Sequence, residues 1–117
     1  ATGVDLEDLA ARLRGFARER DWEQFHAPKN LAMALAVEAA ELMEHFQWLS
    51  ERESAELSPA AKEQVATELA DVFIYTVRLA DRLGVALAPA VEAKIRANAA
   101  KYPVEKSRGN KKKYSEL

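Results

Sequence analysis

Apolar residues recur along this chain at intervals of three and four positions, which is the periodicity of an amphipathic α-helix. The pattern predicts four helices and gives no signal for a strand or an internal repeat. The predicted helices cover about residues 5–20, 30–48, 59–83 and 89–101. We therefore expect an all-α fold, a four-helix bundle.

Residues that favour helix ends support these boundaries. Asp5 is a candidate N-cap of the first helix, whose buried side is predicted to contain Leu6, Leu9, Leu13 and Phe16. Pro28 can open the second helix, because the N–H that proline lacks is not needed in the first turn. Ser58 and Pro59 combine an N-cap with an N1 proline, and Gly84 is the expected stop of the third helix.

A carboxylate interrupts the apolar stripe of the second helix. The members of this stripe are Leu31, Leu35, Leu42, Phe46 and Leu49. At about 100° per residue, the centre of the stripe should hold another large hydrophobe, but it holds Glu38. Glu41 follows one turn later at the edge of the stripe. Because an unpaired carboxylate is costly to desolvate, Glu38 must have a partner.

The third helix repeats this anomaly. Its predicted apolar stripe consists of Val65, Leu69, Val72, Thr76, Leu79 and Leu83. Glu68 and Asp71 run along one edge of that stripe. Two carboxylates from each of two neighbouring helices suit a hard divalent cation such as Mg²⁺, which prefers oxygen ligands. Each pair alone is also common on the solvated face of a helix, so the prediction rests on the pairs together.

The same helix is apolar outside its stripe. Phe73, Ile74 and Val77 lie away from the main stripe, so this helix must be covered on more than one side. In a chain of this size, we expect the cover to be another subunit.

Composition limits the class of protein. A length of 117 residues with 49% hydrophobic content fits one domain over residues 1–102, followed by a basic tail over residues 103–117. The net charge of −2 argues against a protein that coats polymeric nucleic acid. No apolar run approaches a membrane span and no secretory signal is visible, so we expect a cytoplasmic protein with no membrane partner.

Other side chains are candidates for ligand binding. Trp48 and Tyr75 could stack on a nucleobase, although core packing explains each of them equally well. Lys94 and Asn98 lie one turn apart and would suit phosphate or metal-bound water. The basic tail could carry cations to a triphosphate, or it could bind RNA or acidic lipid, or simply be solvated.

Several segments together resemble the MazG-like all-α nucleoside triphosphate pyrophosphohydrolases, and most closely the dCTP pyrophosphatase branch. The segments are RDWEQFHAPKNLAMALAVEAAELMEHFQW, ELADVFIYTVRLA, KIRANAAKYPVEKSRG and KKKYSEL. They extend over nearly the whole chain. The resemblance implies a helical bundle completed by oligomerisation into a homotetramer, a dimer of dimers. It also implies Mg²⁺-dependent hydrolysis of a deoxynucleoside triphosphate to the monophosphate and pyrophosphate.

The resemblance assigns roles to individual positions. It implies that the metal ligands are Glu38, Glu41, Glu68 and Asp71. Our hypothesis for the mechanism adds Glu41 as the most plausible base, with Glu38 as the other catalytic carboxylate. The positions that match those around the base and sugar are Trp22, His26, Trp48 and Tyr75. The positions that match the phosphate side and the tail are Lys94, Asn98, Lys101, Tyr102 and Arg108. Some eukaryotic relatives have a His where this chain has Leu13, which leaves the base preference open.

The favoured substrates at this stage are dCTP and 5-modified dCTP, and the expected role is the clearing of nucleotide pools. A dUTPase-like enzyme and a phosphoribosyl-ATP pyrophosphohydrolase are the alternatives within this class. A helical interaction module with a vestigial acidic site is the alternative from another class. A nucleotide panel separates the enzymes, whereas the interaction module predicts no Mg²⁺-dependent stabilisation by any nucleotide.

Overall fold

The computed structural model describes residues 4–116, whose regular secondary structure is helical and includes no strand. The α-helices of this part of the chain are α1 (Leu6–Glu19), α2 (Pro28–Glu44), α3 (Glu51–Ala55), α4 (Pro59–Leu83), α5 (Leu87–Lys101) and α6 (Val104–Ser107). Short 3₁₀ turns cover Glu23–Phe25 and Tyr114–Glu116. The predicted all-α class and its four long helices are confirmed. No helix within residues 4–116 combines the length and the apolar content that a membrane span requires.

The predicted helix ends are formed by the predicted residues. The Asp5 carboxylate accepts hydrogen bonds from the N–H groups of Glu7 at 2.9 Å and Asp8 at 3.4 Å. Ser58 Oγ accepts a hydrogen bond from the Ala61 N–H at 3.1 Å. Gly84 ends α4 in the left-handed region with φ of 69°, as expected for a glycine stop. These local contacts satisfy N–H and C=O groups that a helix terminus leaves unpaired.

Two boundaries differ from the prediction. The second helix ends at Glu44, and residues 45–48 form turns instead of continuing the helix. Beyond these turns, Ser50 and Glu53 form a capping box that starts α3, a helix that the sequence analysis missed. The fourth long helix begins at Leu87, so Pro89 lies in its first turn, where its missing N–H has no cost.

The chain divides into two compact units between Val85 and Ala86. In the first unit, α4 packs against α2 and, over a smaller contact, against α1. The buried apolar side chains of this unit come from all three helices, and they are Ala17, Leu31, Val65, Val77 and Ala80. The second unit contains α5, α6 and the basic tail.

A single apolar stripe does not describe the surface that α4 buries. Leu69 is 53% exposed and Leu83 is 57% exposed, so the prediction that both are buried is wrong. Val77, expected outside the stripe, belongs to the core, whereas Phe73 and Ile74 are exposed. The helix α4 extends about 37 Å, whereas α2 extends about 26 Å and α1 about 21 Å, so neither neighbour can follow α4 over its full length. Its neighbours therefore cover different faces of α4 along its length.

Two glycines give a matched test of these helix assignments. Gly84→Ala should lower the free energy of unfolding by about 1 kcal/mol, because alanine is disfavoured at φ of 69°. Gly15→Ala should raise it by up to about 1 kcal/mol, because Gly15 lies within α1 and an added Cβ meets nothing within 4 Å. Urea unfolding of the two variants measures the sign of each change in the free energy of unfolding. Equal effects of the two substitutions would contradict the assigned helix end.

Candidate acidic site and adjoining cavity

Three of the four predicted metal ligands lie together. Glu38 and Glu41 project from α2 and Glu68 projects from α4, and one carboxylate oxygen from each lies within 4.8 Å of the other two. The spacing of three residues places Glu38 and Glu41 on the same side of their helix. The packing of α4 against α2 then brings Glu68 to them.

The carboxylates of this acidic cluster destabilise one another's charges. Burial raises the pKa of Glu38 to about 7, assisted by hydrogen bonding and repulsion from Glu41 and by the nearby Glu68 and Asp71. Glu38 Oε2 and Glu68 Oε2 are buried and have no hydrogen-bond partner among the described residues. A buried oxygen without a partner is costly, and a hard cation would satisfy both. The cluster therefore has the ligand type and the unmet electrostatic need of a divalent-cation site.

The fourth predicted ligand, Asp71, lies next along α4. It does not belong to the three-oxygen cluster, but it lines a cavity of ≈ 250 Å³ in the first unit. The side chains that line this cavity come from α1, α4 and the loop between α1 and α2. They are Leu13, Phe16, Ala17, Trp22, His26, Asp71, Ile74, Tyr75 and Arg78. Three residues that the sequence analysis placed near a base thus share one cavity: Trp22, His26 and Tyr75.

Aromatic contacts form one wall of the cavity. Phe16 and Trp22 meet edge to face, with ring centroids 5.8 Å apart. The Arg20 guanidinium carbon lies 3.5 Å from the Phe16 ring centroid, a cation–π contact. Phe16 is 49% exposed, so the prediction that it is buried in the stripe of α1 is wrong. Its ring contacts Trp22 and lines the cavity.

A buried arginine on α4 is the principal feature that the sequence analysis missed. Arg78 is only 3% exposed, and its Nη1 donates to Asp81 Oδ2 at 3.0 Å. Arg14 on α1 also donates to Asp81, from Nε at 3.0 Å and from Nη2 at 2.6 Å. Hydrogen bonding and charge from Arg14, and then charge from Arg78, hold the pKa of Asp81 below its usual value despite partial burial. The spacing of Arg78 and Asp81 was a weak signal for an ion pair, but Arg14 is 67 residues away from Asp81.

Two arginines of α4 fix the position of His26. Arg78 Nε donates to His26 Nδ1 at 3.2 Å, and Arg82 Nε donates to the His26 carbonyl oxygen at 3.1 Å. Burial lowers the pKa of His26, and the charges of Arg78 and Arg82 lower it further. His26 is therefore neutral near pH 7. Because its Nδ1 accepts a hydrogen bond, the ring proton is assigned to Nε2.

Other predicted site residues lie elsewhere. Trp48 follows α2 in a turn, is 87% exposed and is not among the residues that line the cavity. The predicted phosphate-side residues all belong to the second unit, and they are Lys94, Asn98, Lys101, Tyr102 and Arg108. Lys94 and Asn98 are exposed on α5. The participation of these five residues in the site stays a prediction.

Comparison with known proteins gives consistent matches. The profile of the MazG-like family matches residues 33–117. dCTP pyrophosphatase 1 of Mus musculus is 48% identical over 114 residues, which cover 96% of this chain and 67% of that protein. dCTP pyrophosphatase 1 of Homo sapiens is 45% identical over 114 residues, with the same coverage. A pyrophosphatase from Archaeoglobus fulgidus has a crystal structure with a TM-score of 0.79 and 39% identity, covering 88% of this chain and 96% of that chain.

The electrostatics of the acidic cluster predict a pH-dependent effect of Glu38→Gln on the metal-free protein. The pKa of Glu38 is about 7 in the folded protein against an ordinary value of 4.5, so the folded state holds this proton more tightly. Its contribution to stability is present below about pH 4.5 and is lost as the pH rises to about 7. Glu38→Gln removes the charge, so at pH 8 it should raise the free energy of unfolding by about 1–2 kcal/mol.

Urea unfolding at pH 5 and pH 8, in the presence of a chelator, measures this difference. Glu44→Gln, at an exposed position of the same helix, is the control and should change stability by less than about 0.5 kcal/mol. An equal loss of stability in the two variants at pH 8 would count against mutual repulsion in the cluster.

Proposed function

The chain belongs to the MazG-like family, and from that premise we propose that it hydrolyses dCTP or 5-modified dCTP to the monophosphate and pyrophosphate, clearing these nucleotides from the pool. Its relatives make it a nucleoside triphosphate pyrophosphohydrolase. The observation that carries the proposal is the acidic cluster, in which two buried carboxylate oxygens lack partners beside a cavity with an aromatic wall. The names of the mouse and human relatives support the preference for dCTP.

Mg²⁺ is the proposed cofactor. Glu38, Glu41 and Glu68 would hold it, with Asp71 as a fourth carboxylate on the following turn of α4. The ligands are all oxygen atoms, as Mg²⁺ prefers, and the unpartnered oxygens of the cluster support the fit. When bound, Mg²⁺ supplies positive charge that neutralises phosphate oxygens and activates water.

Different residues of the chain are proposed to bind the substrate and to hydrolyse it. Glu41 is the proposed base, which orients the attacking water and accepts its proton. Trp22 and Tyr75 line the cavity, and their rings offer faces for a nucleobase to stack on. Asp71 lines the same cavity and lies three residues from Glu68, so α4 links the acidic cluster to the proposed base pocket. We also propose phosphate contacts by Lys94, Asn98, Lys101, Tyr102 and Arg108.

A homotetramer is the proposed assembly. Leu69, Phe73 and Ile74 are exposed on α4, and they provide apolar surface that a second copy could cover. We propose neither a membrane nor a polymeric nucleic acid as a partner, in keeping with the net charge of −2.

The proposal predicts a specific product pattern. With Mg²⁺ present, a panel of the four canonical deoxynucleoside triphosphates, dUTP, 5-methyl-dCTP and phosphoribosyl-ATP should show the highest kcat/KM for the cytosine nucleotides. The products should be the monophosphate and pyrophosphate, separated by ion-exchange chromatography. Chelation of the metal should abolish turnover. Release of inorganic phosphate from dCTP, or turnover that persists in a chelator, would reject the proposal.

Matched variants test the carboxylates individually. Glu41→Gln and Asp71→Asn should lower kcat by at least about 100-fold, because each removes a charge from the reacting site but keeps its size. Glu44→Gln lies three residues after Glu41 on α2 and is the control, with kcat expected to change less than about twofold. Circular dichroism checks that the variants keep the helical fold. Full activity of Glu41→Gln would exclude Glu41 as the base.

Light scattering tests the assembly. The wild-type protein should elute with a mass four times the 13.0 kDa of the chain. Phe73→Glu should reduce this mass, because a carboxylate placed in an apolar contact is costly to desolvate. Arg52→Glu changes the charge at an exposed position of α3, outside α4, and should leave the tetramer intact. A monomeric wild-type protein at micromolar concentration would contradict the proposed assembly.

A further inference from the structure

We propose that Arg78 determines the base specificity of the cavity, because Arg78 and the histidine it orients present only hydrogen-bond donors to the ligand. These donors, here called the donor corner, select a base whose ring edge carries two adjacent acceptors. Among pyrimidine bases, cytosine has that edge. This inference rests on the proposed function, since it assumes that the cavity holds the base of a nucleotide. It adds a residue to the site that the sequence analysis did not consider.

The first observation concerns the hydrogen bond between Arg78 and His26. A guanidinium group has donors and no acceptor, so Arg78 Nε can only donate to His26 Nδ1 across their 3.2 Å contact. The imidazole must then be neutral and carry its proton on Nε2. His26 lines the cavity, and the only ring nitrogen left for a ligand is this Nε2–H donor. Arg82 donates to the backbone carbonyl of His26, so α4 holds both the ring and the backbone of this residue.

The second observation concerns the free nitrogen of Arg78. Nε is used by His26 and Nη1 by Asp81, whereas Nη2 is buried and has no hydrogen-bond partner among the described residues. The residue lines the cavity and is 97% buried, at 3% exposure. A buried charged donor without a partner is costly, and an acceptor atom of a ligand in the cavity would satisfy it.

The third observation is the distance between the acidic cluster and this donor corner along α4. Asp71 and Arg78 are separated by seven residues, or about 10 Å of helix rise, with Tyr75 between them. The carboxylate acceptors are thus two turns away from Arg78. The negative charge near Asp71 suits cations and the phosphates that bind to them. The base would therefore lie at the end of the cavity that contains Arg78.

The chemistry of the pyrimidine edges makes the selection. Cytosine has N3 and O2 side by side, and both are acceptors. Uracil and thymine carry a proton on N3, so a donor corner would face a donor there and would leave one protein N–H unpaired. Sites that depend on such pairing discriminate strongly, because the wrong ligand buries an unsatisfied polar group.

The test compares dCTP with dUTP in matched arginine variants. Arg78→Met keeps most of the apolar stem but removes the donors, and it should lower the ratio of kcat/KM for dCTP over dUTP by about 10-fold or more. Arg14→Met is the control: it also removes a partner of Asp81 but does not line the cavity, so the ratio should stay within about twofold. Binding of dCMP and dUMP, measured by calorimetry without metal, should show the same loss of preference. Arg78→Lys, which keeps the charge, should recover only part of the ratio, because one ammonium cannot serve His26, Asp81 and the ligand together.

Nitrogen NMR of His26 adds a readout that a merely structural role would not move. The chain has two histidines, so His45→Gln assigns the spectrum. The wild-type ring should show the Nε2–H tautomer at pH 7, and Arg78→Met should produce a mixture of tautomers, whereas Arg14→Met should not. An unchanged dCTP-to-dUTP ratio in a folded Arg78→Met protein, or a wild-type Nδ1–H tautomer, would overturn the proposal. Absence of hydrolysis and binding for every nucleotide would instead reject the proposed function, and base selection by Arg78 with it.

Discussion

The site depends on carboxylates that are held inside the contact between two helices. Glu38 on α2 and Glu68 on α4 each have a buried oxygen without a partner, and burial and repulsion raise the pKa of Glu38 to about 7. Such an arrangement opposes folding, and the apolar contacts of α2 with α4 must offset it. What the protein gains is a set of oxygen atoms already desolvated and close together, so a cation does not have to assemble them. Lower stability in exchange for a preorganised site is common in enzymes.

The helix α4 carries opposite charges along its length, from Glu68 in the acidic cluster to Asp71 and Arg78 in the wall of the cavity. Glu68 and Asp71 are acidic, Tyr75 follows, and Arg78 is buried three residues further on. An extended ligand with a polyanionic end and a flat aromatic end would meet a different environment at each point of this wall. Under the proposed function, the acidic turns of α4 would bind phosphates through cations, and the turn that carries Arg78 would recognise the base through its donors. The Arg14–Asp81 ion pair attaches α1 to the same helix.

Much of the local structure follows from the sequence alone. Asp5, Ser58 and Gly84 form the helix ends that their chemistry favours, because capping depends on residues only a few positions apart. Glu38 interrupts the apolar stripe of the second helix, and this position correctly indicated that its carboxylate is desolvated. The spacing of Glu38 and Glu41 likewise placed them on one side, since this geometry is internal to the helix. The capping box at Ser50 was also present in the sequence, and it was overlooked because the surrounding segment is polar.

Tertiary structure decided which faces are covered and which distant residues meet. Periodicity defines the angle of Leu69 or Phe16 around its helix, but not whether a neighbouring helix covers that face, and both side chains are exposed. Arg78 meets His26 across 52 residues, and Arg14 meets Asp81 across 67. No local pattern encodes those pairs, because the packing of separate helices brings them together. The sequence therefore determined the helices and the acidic residues, whereas the packing of α1, α2 and α4 decided the cavity and its buried arginine.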